Sequence, residues 1–461
     1  TVLTPLNDNK TSLILKNVGT KVILIFLFIG LIVFLNSNLL ISILAPKLDN
    51  ESQLIAANQL KILSPCIPLS AFNGISFGIL NSKNKFFLSS ISPAIVSLTT
   101  IIFIIFYWIF NIKNKIFDGF LYIELIALAT LVGTVIQFLV HFYATFNTGL
   151  LRTKFSSLNT VKEEKRIFNI IIPSSLASGL GQINVYVDMF FASSFKGAAS
   201  GLTYSNFLIQ APLGLLSNIL ILPILPKFSN LINKNEIDKL GKELNSTIEY
   251  CLLTTFLLTG LFISFNEQII DILFQRGAFD YDAGLKVGKI LIAYSIGVPV
   301  YLLRDLLIRT YYSLELTKLP FNLSIVGIGL NIFFDWILVG APINNYKNLS
   351  PFNFGIVGLV LASGLVNLII CTILKKRLNA HIRNLVNFNL FKKLILIIIS
   401  CIITSFISYQ AFSYYENINN QFFQILIFLT SVIIYCIIYF LITKFLKVNN
   451  YHLRLAKNIN F

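Results

Sequence analysis

Long, predominantly apolar blocks constrain this chain more than any other feature of its sequence, and residues 22–44 and 394–407 are two of them. About 20 apolar residues span the ~30 Å hydrocarbon core of a bilayer when they are helical. Lipid offers no hydrogen-bond partners to the backbone, so such blocks must be α-helices. The chain is 56% hydrophobic and 12% charged, too few charges for the surface of a soluble protein. We expect an all-α, polytopic membrane protein.

Twelve membrane spans are predicted from these blocks. They cover residues 22–45, 53–80, 87–110, 120–147, 167–194, 198–226, 246–274, 286–313, 319–340, 353–374, 391–413 and 421–443.

The basic residues are distributed unequally between alternate loops of this topology. One set of loops, which includes both termini, holds 25 Lys and Arg residues, whereas the other set holds 6. Because cytoplasmic loops are enriched in basic residues, both termini are predicted to be cytoplasmic. The formal charge of +16 is therefore attributed to topology. The loops are too short to form a basic domain, which excludes a nucleic-acid partner.

Cysteine and histidine give no indication of a metal or catalytic site. The five cysteines all lie inside apolar blocks without metal-type spacing, and they are interpreted as small buried apolar side chains. The three histidines are far apart in sequence, and His141 is expected to be a packed or interfacial residue. We predict no metal, no cofactor and no enzymatic activity, since the sequence also lacks a pairing of nucleophile and base.

Two stretches of the chain repeat one helix–loop–helix design. The first contains ILAPKLDNESQ at 43–53 and continues into a helix with two prolines, Pro65 and Pro68. The second contains ILFQRGAFDYD at 272–282 and continues into a helix with Pro299. Transporters often build two lobes from such repeats around a central binding site.

The repeat predicts the domain organisation. We expect an incomplete first lobe at 1–160, a second lobe at 161–380 and a C-terminal helix pair at 381–461. Leu44 and Leu273 are corresponding positions of the two copies. Three spans precede Leu273 in the second lobe, whereas the first lobe has room for one span before Leu44. Two further N-terminal helices are therefore expected, for about fourteen spans in the full protein.

Three segments carry a family resemblance. They are GQINVYVDMFFASSFKGAASGLTYSNFLIQAPLGLLSNILILPILPKFS at 181–229, LFQRGAFD at 273–280 and LLIRTYYSLELTKLPFNLSIVGIGLNIF at 306–333. Together they resemble the MurJ/MviN family of lipid II flippases, within the multidrug/oligosaccharidyl-lipid/polysaccharide exporter superfamily. The chain is similar to that family from the family's third helix onward, including the final two helices.

The resemblance implies a flippase of the inner membrane. Its substrate would be the peptidoglycan precursor linked to undecaprenyl diphosphate, moved from the cytoplasmic to the periplasmic leaflet by alternating access. The implied partners are this anionic polyprenyl-diphosphate lipid, membrane lipids and peptidoglycan-assembly proteins. A wet cavity with cationic groups would suit the diphosphate headgroup, while the tail stays in lipid.

Charged residues inside spans are the first candidates for the site, because such residues are rare in membranes. Arg309 matches a basic position of the family motif and is predicted to face the cavity, where it would contact phosphate or a carboxylate partner. Arg304 and Asp305 are also candidates, but adjacent residues project about 100° apart on a helix. Asp305 alternatively forms a structural pair with Arg309 at i+4. Lys61 is either a cavity cation or a side chain that reaches the interface.

Further candidates are polar residues on the spans and one loop. Asp188 matches the family's acidic position, and it either pairs with a cavity arginine, joins coupling to an ion or proton gradient, or locks helix packing. Cavity candidates also include Asn184, Asn206 and Gln210, the last two of which share a helix face. Arg276 and Gly277 lie in a loop and are interpreted as a gate or structural contact, with the glycine allowing a tight turn.

One departure from the family weakens the predicted site. Many members have Asp-Arg after Tyr-Ala, whereas this chain has Asn206 and Phe207 after Tyr204 and Ser205. The remaining alternatives are a related polysaccharide-lipid flippase, a drug or cation antiporter of the same superfamily, and a degenerate, non-transporting membrane protein. A membrane glycosyltransferase would need a large loop with a carboxylate or metal cluster, which this sequence lacks.

Overall fold

The structure is a computed structural model, and the chain divides into two units, Thr1–Gly179 and Leu180–Phe461. It describes residues 8–82, 86–114, 119–149, 164–165, 168, 179, 182–221, 224–234, 236–277, 279–314, 316–340, 352–381, 388–413 and 421–446. Every regular element within these residues is helical. The predicted all-α class is confirmed.

The described part of the first unit contains seven helices. They are α1 (Asp8–Leu35), α2 (Ser37–Leu44), α3 (Asn50–Leu63), α4 (Cys66–Ser82), α5 (Phe86–Ile91), α6 (Pro93–Asn114) and α7 (Gly119–Phe146).

The described part of the second unit begins with the helical residues 182–192, here α8, and α9 (Ala198–Leu216), which continues as a π-helical turn at Ser217–Ile221. The helices that follow are α10 (Ile224–Asn233), α11 (Ile237–Ser264), α12 (Asn266–Phe274), α13 (Tyr281–Ser313), α14 (Lys318–Val339), α15 (Ile356–His381), α16 (Phe388–Ser413) and α17 (Gln421–Phe445).

The lengths and hydropathies of these helices identify a multi-pass membrane protein. Eight described helices are long and apolar enough to cross a bilayer, and the bent pair α3–α4 makes up to nine. The predicted spans at 87–110 and 391–413 contain the shorter apolar helices Pro93–Ile109 and Lys393–Ser408. The predicted span at 167–194 lies mostly outside the described residues, apart from α8.

The first unit packs α4 between α1 and α7, and α7 against α6. Gly133 of α7 permits close approach to α6, because a Cβ there would lie 2.9 Å from Val96 Cα. His141 is buried, and its Nε2 lies 2.7 Å from Ser92 Oγ. This is the packed environment that the sequence led us to expect for His141.

Helix α13 lies at the centre of the second unit, where it packs against α9, α11 and α15. Its proline does not interrupt it, since the helix runs for 33 residues through Pro299. Proline cannot donate to the carbonyl four residues earlier, here that of Ser295. Thr259 Oγ1 of α11 donates to that carbonyl oxygen at 2.8 Å. The neighbouring helix thus supplies the hydrogen bond that the proline removes.

The C-terminal helices attach to α11 through polar contacts at membrane depth. Tyr435 and Tyr439 of α17 donate to the backbone carbonyls of Leu257 (3.2 Å) and Leu253 (2.9 Å). Lys393 of α16 forms an ion pair with Glu249 at 2.7 Å. Buried tyrosine hydroxyls need such partners, so these bonds fix α17 against α11.

Candidate functional site

A cavity of about 570 Å³ lies within the second unit, in the size range of ligand pockets. Residues of α8, α9 with its π-helical turn, α13 and α15 line it. Its polar lining consists of Asn184, Asp188, Thr203, Asn206, Gln210, Ser217, Tyr294, Tyr301, Arg304, Asp305, Ser363 and Asn367.

The wall formed by α9 departs from regular helix near the cavity. Pro212 lies inside the helix, and Ser217–Ile221 form a π-helical turn directly after it. Such turns are rare and frequently occur at functional sites. Here the turn begins at Ser217, whose hydroxyl donates to Asp305 Oδ2 at 2.9 Å.

Asp305 is the centre of one polar group on α13. Its Oδ1 accepts from Arg309 Nε at 3.2 Å, an i,i+4 ion pair, while its Oδ2 accepts from Ser217. This is the structural pairing that the sequence offered as one alternative for Asp305. Arg309 does not line the cavity, and its charge is balanced by the carboxylate beside it.

Arg304 belongs to a different group, although it precedes Asp305 directly and both residues line the cavity. Arg304 Nη1 donates to Asn367 Oδ1 of α15 at 2.8 Å. The two side chains therefore diverge to different neighbouring helices, as expected for adjacent residues. Both side chains nevertheless line the same cavity.

The Asn367 side chain continues into a chain of hydrogen bonds. Asn367 Nδ2 donates to the Ser363 carbonyl at 2.7 Å, and Ser363 Oγ donates to Asn331 Oδ1 at 3.2 Å. Asn331 Nδ2 is 2.9 Å from both Asp188 Oδ1 and Asp335 Oδ2. A network thus runs from the Arg304 guanidinium through three neutral side chains to two carboxylates.

The side-chain amide of Asn331 holds both carboxylates. Asp335 is fully buried, and its Oδ1 has no hydrogen-bond partner among the described residues. Carboxylate and amide oxygens are the ligands that hard cations prefer. Within the part of the chain that the structure describes, no group of three or more His, Cys, Asp or Glu residues is placed to hold a metal ion.

Three residues that line the cavity each have a buried polar atom without a hydrogen-bond partner among the described residues. These atoms are Arg304 Nε, Tyr301 Oη and Asn184 Oδ1. Buried polar groups in folded proteins are nearly always bonded. Unpartnered polar atoms on residues that line a cavity indicate a place that binds a polar ligand or water.

The structure thus brings six predicted residues to this cavity: Asn184, Asp188, Asn206, Gln210, Arg304 and Asp305. Lys61 lies in the first unit, near the end of α3, and is not among the residues that line this cavity. Arg276 is exposed and donates from Nη2 to the Ile272 carbonyl at the end of α12 (2.8 Å), and Gly277 has φ +62°. These two residues form a turn between α12 and α13, away from the cavity lining.

Sequence reasoning missed the residues that connect the site. Asn331, Asp335, Ser363 and Asn367 all lie on α14 or α15. The spacing of these residues could have identified them. Asn331 and Asp335 are four residues apart, as are Ser363 and Asn367, so each pair shares a helix face. Polar pairs with this spacing inside apolar spans indicate inward-facing positions.

Residues 2–443 match the family described as lipid II flippase MurJ. A probable lipid II flippase MurJ from Synechocystis sp. is 32% identical over 389 residues, which cover 83% of this chain and 70% of that protein. The matches to the next relatives span about half of their length.

Two solved structures show the same fold. One, a lipid II flippase MurJ in an inward closed conformation, has a TM-score of 0.73 at 23% identity and covers 95% of this chain and 83% of its own. The other, an inward-facing multidrug resistance transporter of the MATE family in the MOP superfamily, has a TM-score of 0.58 at 13% identity and covers 83% of this chain and 87% of its own.

Proposed function

We propose that this chain, which belongs to the MurJ family of lipid II flippases, moves lipid II from the cytoplasmic to the periplasmic leaflet of the bacterial inner membrane. The family consists of transporters rather than enzymes and acts on a lipid-linked substrate. The substrate proposed here is the peptidoglycan precursor linked to undecaprenyl diphosphate. Both termini of this chain are proposed to be cytoplasmic, as the distribution of basic residues suggests.

The observation that supports this proposal most is a polar cavity with an arginine inside an otherwise apolar helical unit. Arg304 lines this cavity, and within the described residues no carboxylate forms an ion pair with it. A cation at membrane depth is costly, so a cavity that retains one suits an anionic headgroup. Alternating access then moves the headgroup while the polyprenyl tail stays in lipid.

A second candidate is a drug or cation antiporter, because the fold is shared with a MATE transporter. The observation in its favour is the pair of carboxylates, Asp188 and Asp335, bridged by Asn331. In the flippase proposal this pair instead serves an ion that drives transport, which is one of the roles suggested above for Asp188. The two proposals differ in which side chain meets the substrate: Arg304 for an anion, and the carboxylates for a cation.

Complementation tests the flippase proposal. The gene is expressed in a bacterium whose own lipid II flippase is depleted, and membrane insertion is verified by immunoblot. Restored growth together with restored lipid II translocation is the expected result. A correctly inserted protein that restores neither would contradict the proposal, and resistance to cationic drugs without translocation would favour the antiporter.

A further inference from the structure

Two arginines five residues apart on α13 have opposite surroundings. Arg309 is paired with Asp305, whose second oxygen is held by Ser217. Arg304 has a neutral partner, the amide oxygen of Asn367. Since a paired guanidinium presents little net charge to a ligand, the two residues are not equivalent as anion receptors.

Arg304 also retains unused hydrogen-bonding capacity. A guanidinium has five N–H donors in a planar fork, and the described contacts use one of them, on Nη1. The Nε atom is buried without a partner, and the side chain lines the cavity. Guanidinium groups with free adjacent donors bind phosphate oxygens in a bidentate manner.

From this geometry we infer that Arg304 is the anion-binding residue of the cavity and that Asn367 is the residue that positions it. The ligand group is a diphosphate, either on a polyprenyl lipid or free. The assignment rests on the proposed function, because it names the side chain that receives the headgroup of that substrate. It replaces Arg309, which the motif suggested for this role.

Asn367 suits a positioning role because its amide is fixed at both ends. Its Nδ2 donates to the Ser363 carbonyl, which directs Oδ1 toward Arg304. An amide oxygen orients the guanidinium without neutralising it. An aspartate in the same place would keep the hydrogen bond to Arg304 but add a counter-charge, and Arg304 would then resemble the paired Arg309.

The first test measures binding of farnesyl diphosphate, a short isoprenyl diphosphate, to the purified chain in lipid nanodiscs. Arg304→Gln should weaken binding by about 10- to 100-fold, the equivalent of one or two charge-assisted hydrogen bonds. Arg304→Lys, which retains the charge but not the fork, should show a smaller loss. Lys239→Gln is the matched control: it removes the same charge from an exposed ion pair with Glu236 and should leave affinity unchanged.

The second test separates positioning from a merely structural role. Asn367→Ala should weaken binding about fivefold through a less ordered guanidinium, and Asn367→Asp should weaken it more, by at least about tenfold, through neutralisation. A purely structural Asn367 predicts that alanine is the more damaging change, because alanine deletes both hydrogen bonds of the side chain, whereas aspartate keeps the bond to Arg304 and loses only the one to the Ser363 carbonyl. The Asn367→Asp chain also keeps Arg304, so it remains informative if Arg304→Gln fails to insert.

The outcomes separate this assignment from the proposed function. Equal affinity of the wild-type and Arg304→Gln chains would overturn the assignment alone, as would an Asn367→Asp chain that binds better than Asn367→Ala. A wild-type chain that binds no farnesyl diphosphate would overturn the proposed function as well. Competition by inorganic pyrophosphate identifies the source: weak competition supports a lipid diphosphate, and competition at equal concentration supports recognition of free diphosphate.

Discussion

The two copies of the helix–loop–helix repeat begin alike and then diverge. In each copy an aspartate caps the helix after the loop: Asp49 accepts from Ser52 N at 3.0 Å, and Asp280 accepts from Ala283 N at 2.8 Å. A proline follows 19 residues after each aspartate. In the first copy the chain bends by 44° between α3 and α4, whereas in the second α13 continues without a break.

The divergence has two causes in the sequence. The first copy has a second proline, Pro65, where the second copy has Ile296, so the first loses two helical hydrogen bonds within one turn. In addition, Thr259 donates to the carbonyl that Pro299 leaves free. Thr259 lies six residues before Phe265, the break between α11 and α12. The residue six positions before Asn36, the break between α1 and α2, is Gly30, which has no side-chain donor.

The difference explains how the second copy places charged side chains at the candidate cavity. Because α13 is continuous, the positions five and six residues after Pro299 lie within it and carry Arg304 and Asp305 into the cavity. The equivalent positions of the first copy hold Asn73 and Gly74. A similar hairpin therefore serves as a bent span in one unit and as a continuous, charge-bearing span in the other.

The largest expected effect comes from giving the second copy the proline pattern of the first. Ile296→Pro should destabilise α13 by about 3 kcal/mol and bend it, since interior proline removes a hydrogen bond and clashes with the preceding turn. The Ile296 side chain is 54% exposed, so the loss would come from the backbone. Spin labels at both ends of α13 should report a shorter distance. Ile296→Ala is the control, and an unchanged distance in the proline variant would contradict this explanation.

The next effect concerns the C-terminal helices, which pack on a face of α11. The corresponding position of α1 in the first copy is exposed. A Cβ at Gly260 would collide with Tyr435 Oη, whereas the equivalent residue of α1, Leu31, is 50% exposed. Gly260→Leu should therefore lower stability by about 2–3 kcal/mol through overpacking, measured by thermal unfolding in detergent. Gly241→Leu on the same helix, where a Cβ meets open space, should change little. Equal unfolding temperatures for both variants would show that α17 does not need this close approach.

A smaller effect is expected at the hydrogen bond from Thr259 to the Ser295 carbonyl, which supports α13 beside Pro299. Thr259→Val keeps the shape of the side chain but leaves the Ser295 carbonyl without its donor, at a cost of about 1–2 kcal/mol. Thermal unfolding should show the loss, and Thr259→Ser should retain most of the wild-type stability because it keeps the hydroxyl. If valine and serine behaved alike, the hydroxyl would have no part in supporting the proline.

The smallest effect tests what the two copies share. Asp49→Ala and Asp280→Ala each remove a side-chain cap and should each cost about 1 kcal/mol, with Asp→Asn as the conservative control in both places. Similar losses in thermal unfolding are expected, since both aspartates bond to a backbone N–H three residues later. A loss of stability in only one of the two variants would show that the two caps are not equivalent.

Much of this organisation follows from sequence patterns. Apolar block length predicted the helices, and the segments ILAPKLDNESQ and ILFQRGAFDYD located both loops. Helical spacing predicted that Asn206 and Gln210 share a face, and both line the cavity. These features depend on residues close together in the chain, where helix geometry fixes the outcome.

The remaining parts of the site depend on contacts between distant residues. Arg304 meets Asn367 because α13 packs against α15, and Asp188 of α8 meets Asn331 of α14, which packs against α15. The motif favoured Arg309 for the cavity. Helical spacing favoured the i,i+4 pair of Asp305 with Arg309, but nothing in the local sequence places Arg304 beside Asn367. The bond from Ser217 on the π-helical turn of α9 to the second oxygen of Asp305 is likewise a contact between residues far apart in the chain.

Transport of a labelled lipid II across vesicles that contain the purified protein tests the central claim most directly. The account predicts that the wild-type protein moves the labelled headgroup between leaflets far faster than protein-free vesicles do. It also predicts that Arg304→Gln lowers this rate by about tenfold or more, while Lys239→Gln does not. A wild-type rate equal to that of protein-free vesicles would contradict the claim that this chain moves an anionic polyprenyl-diphosphate lipid.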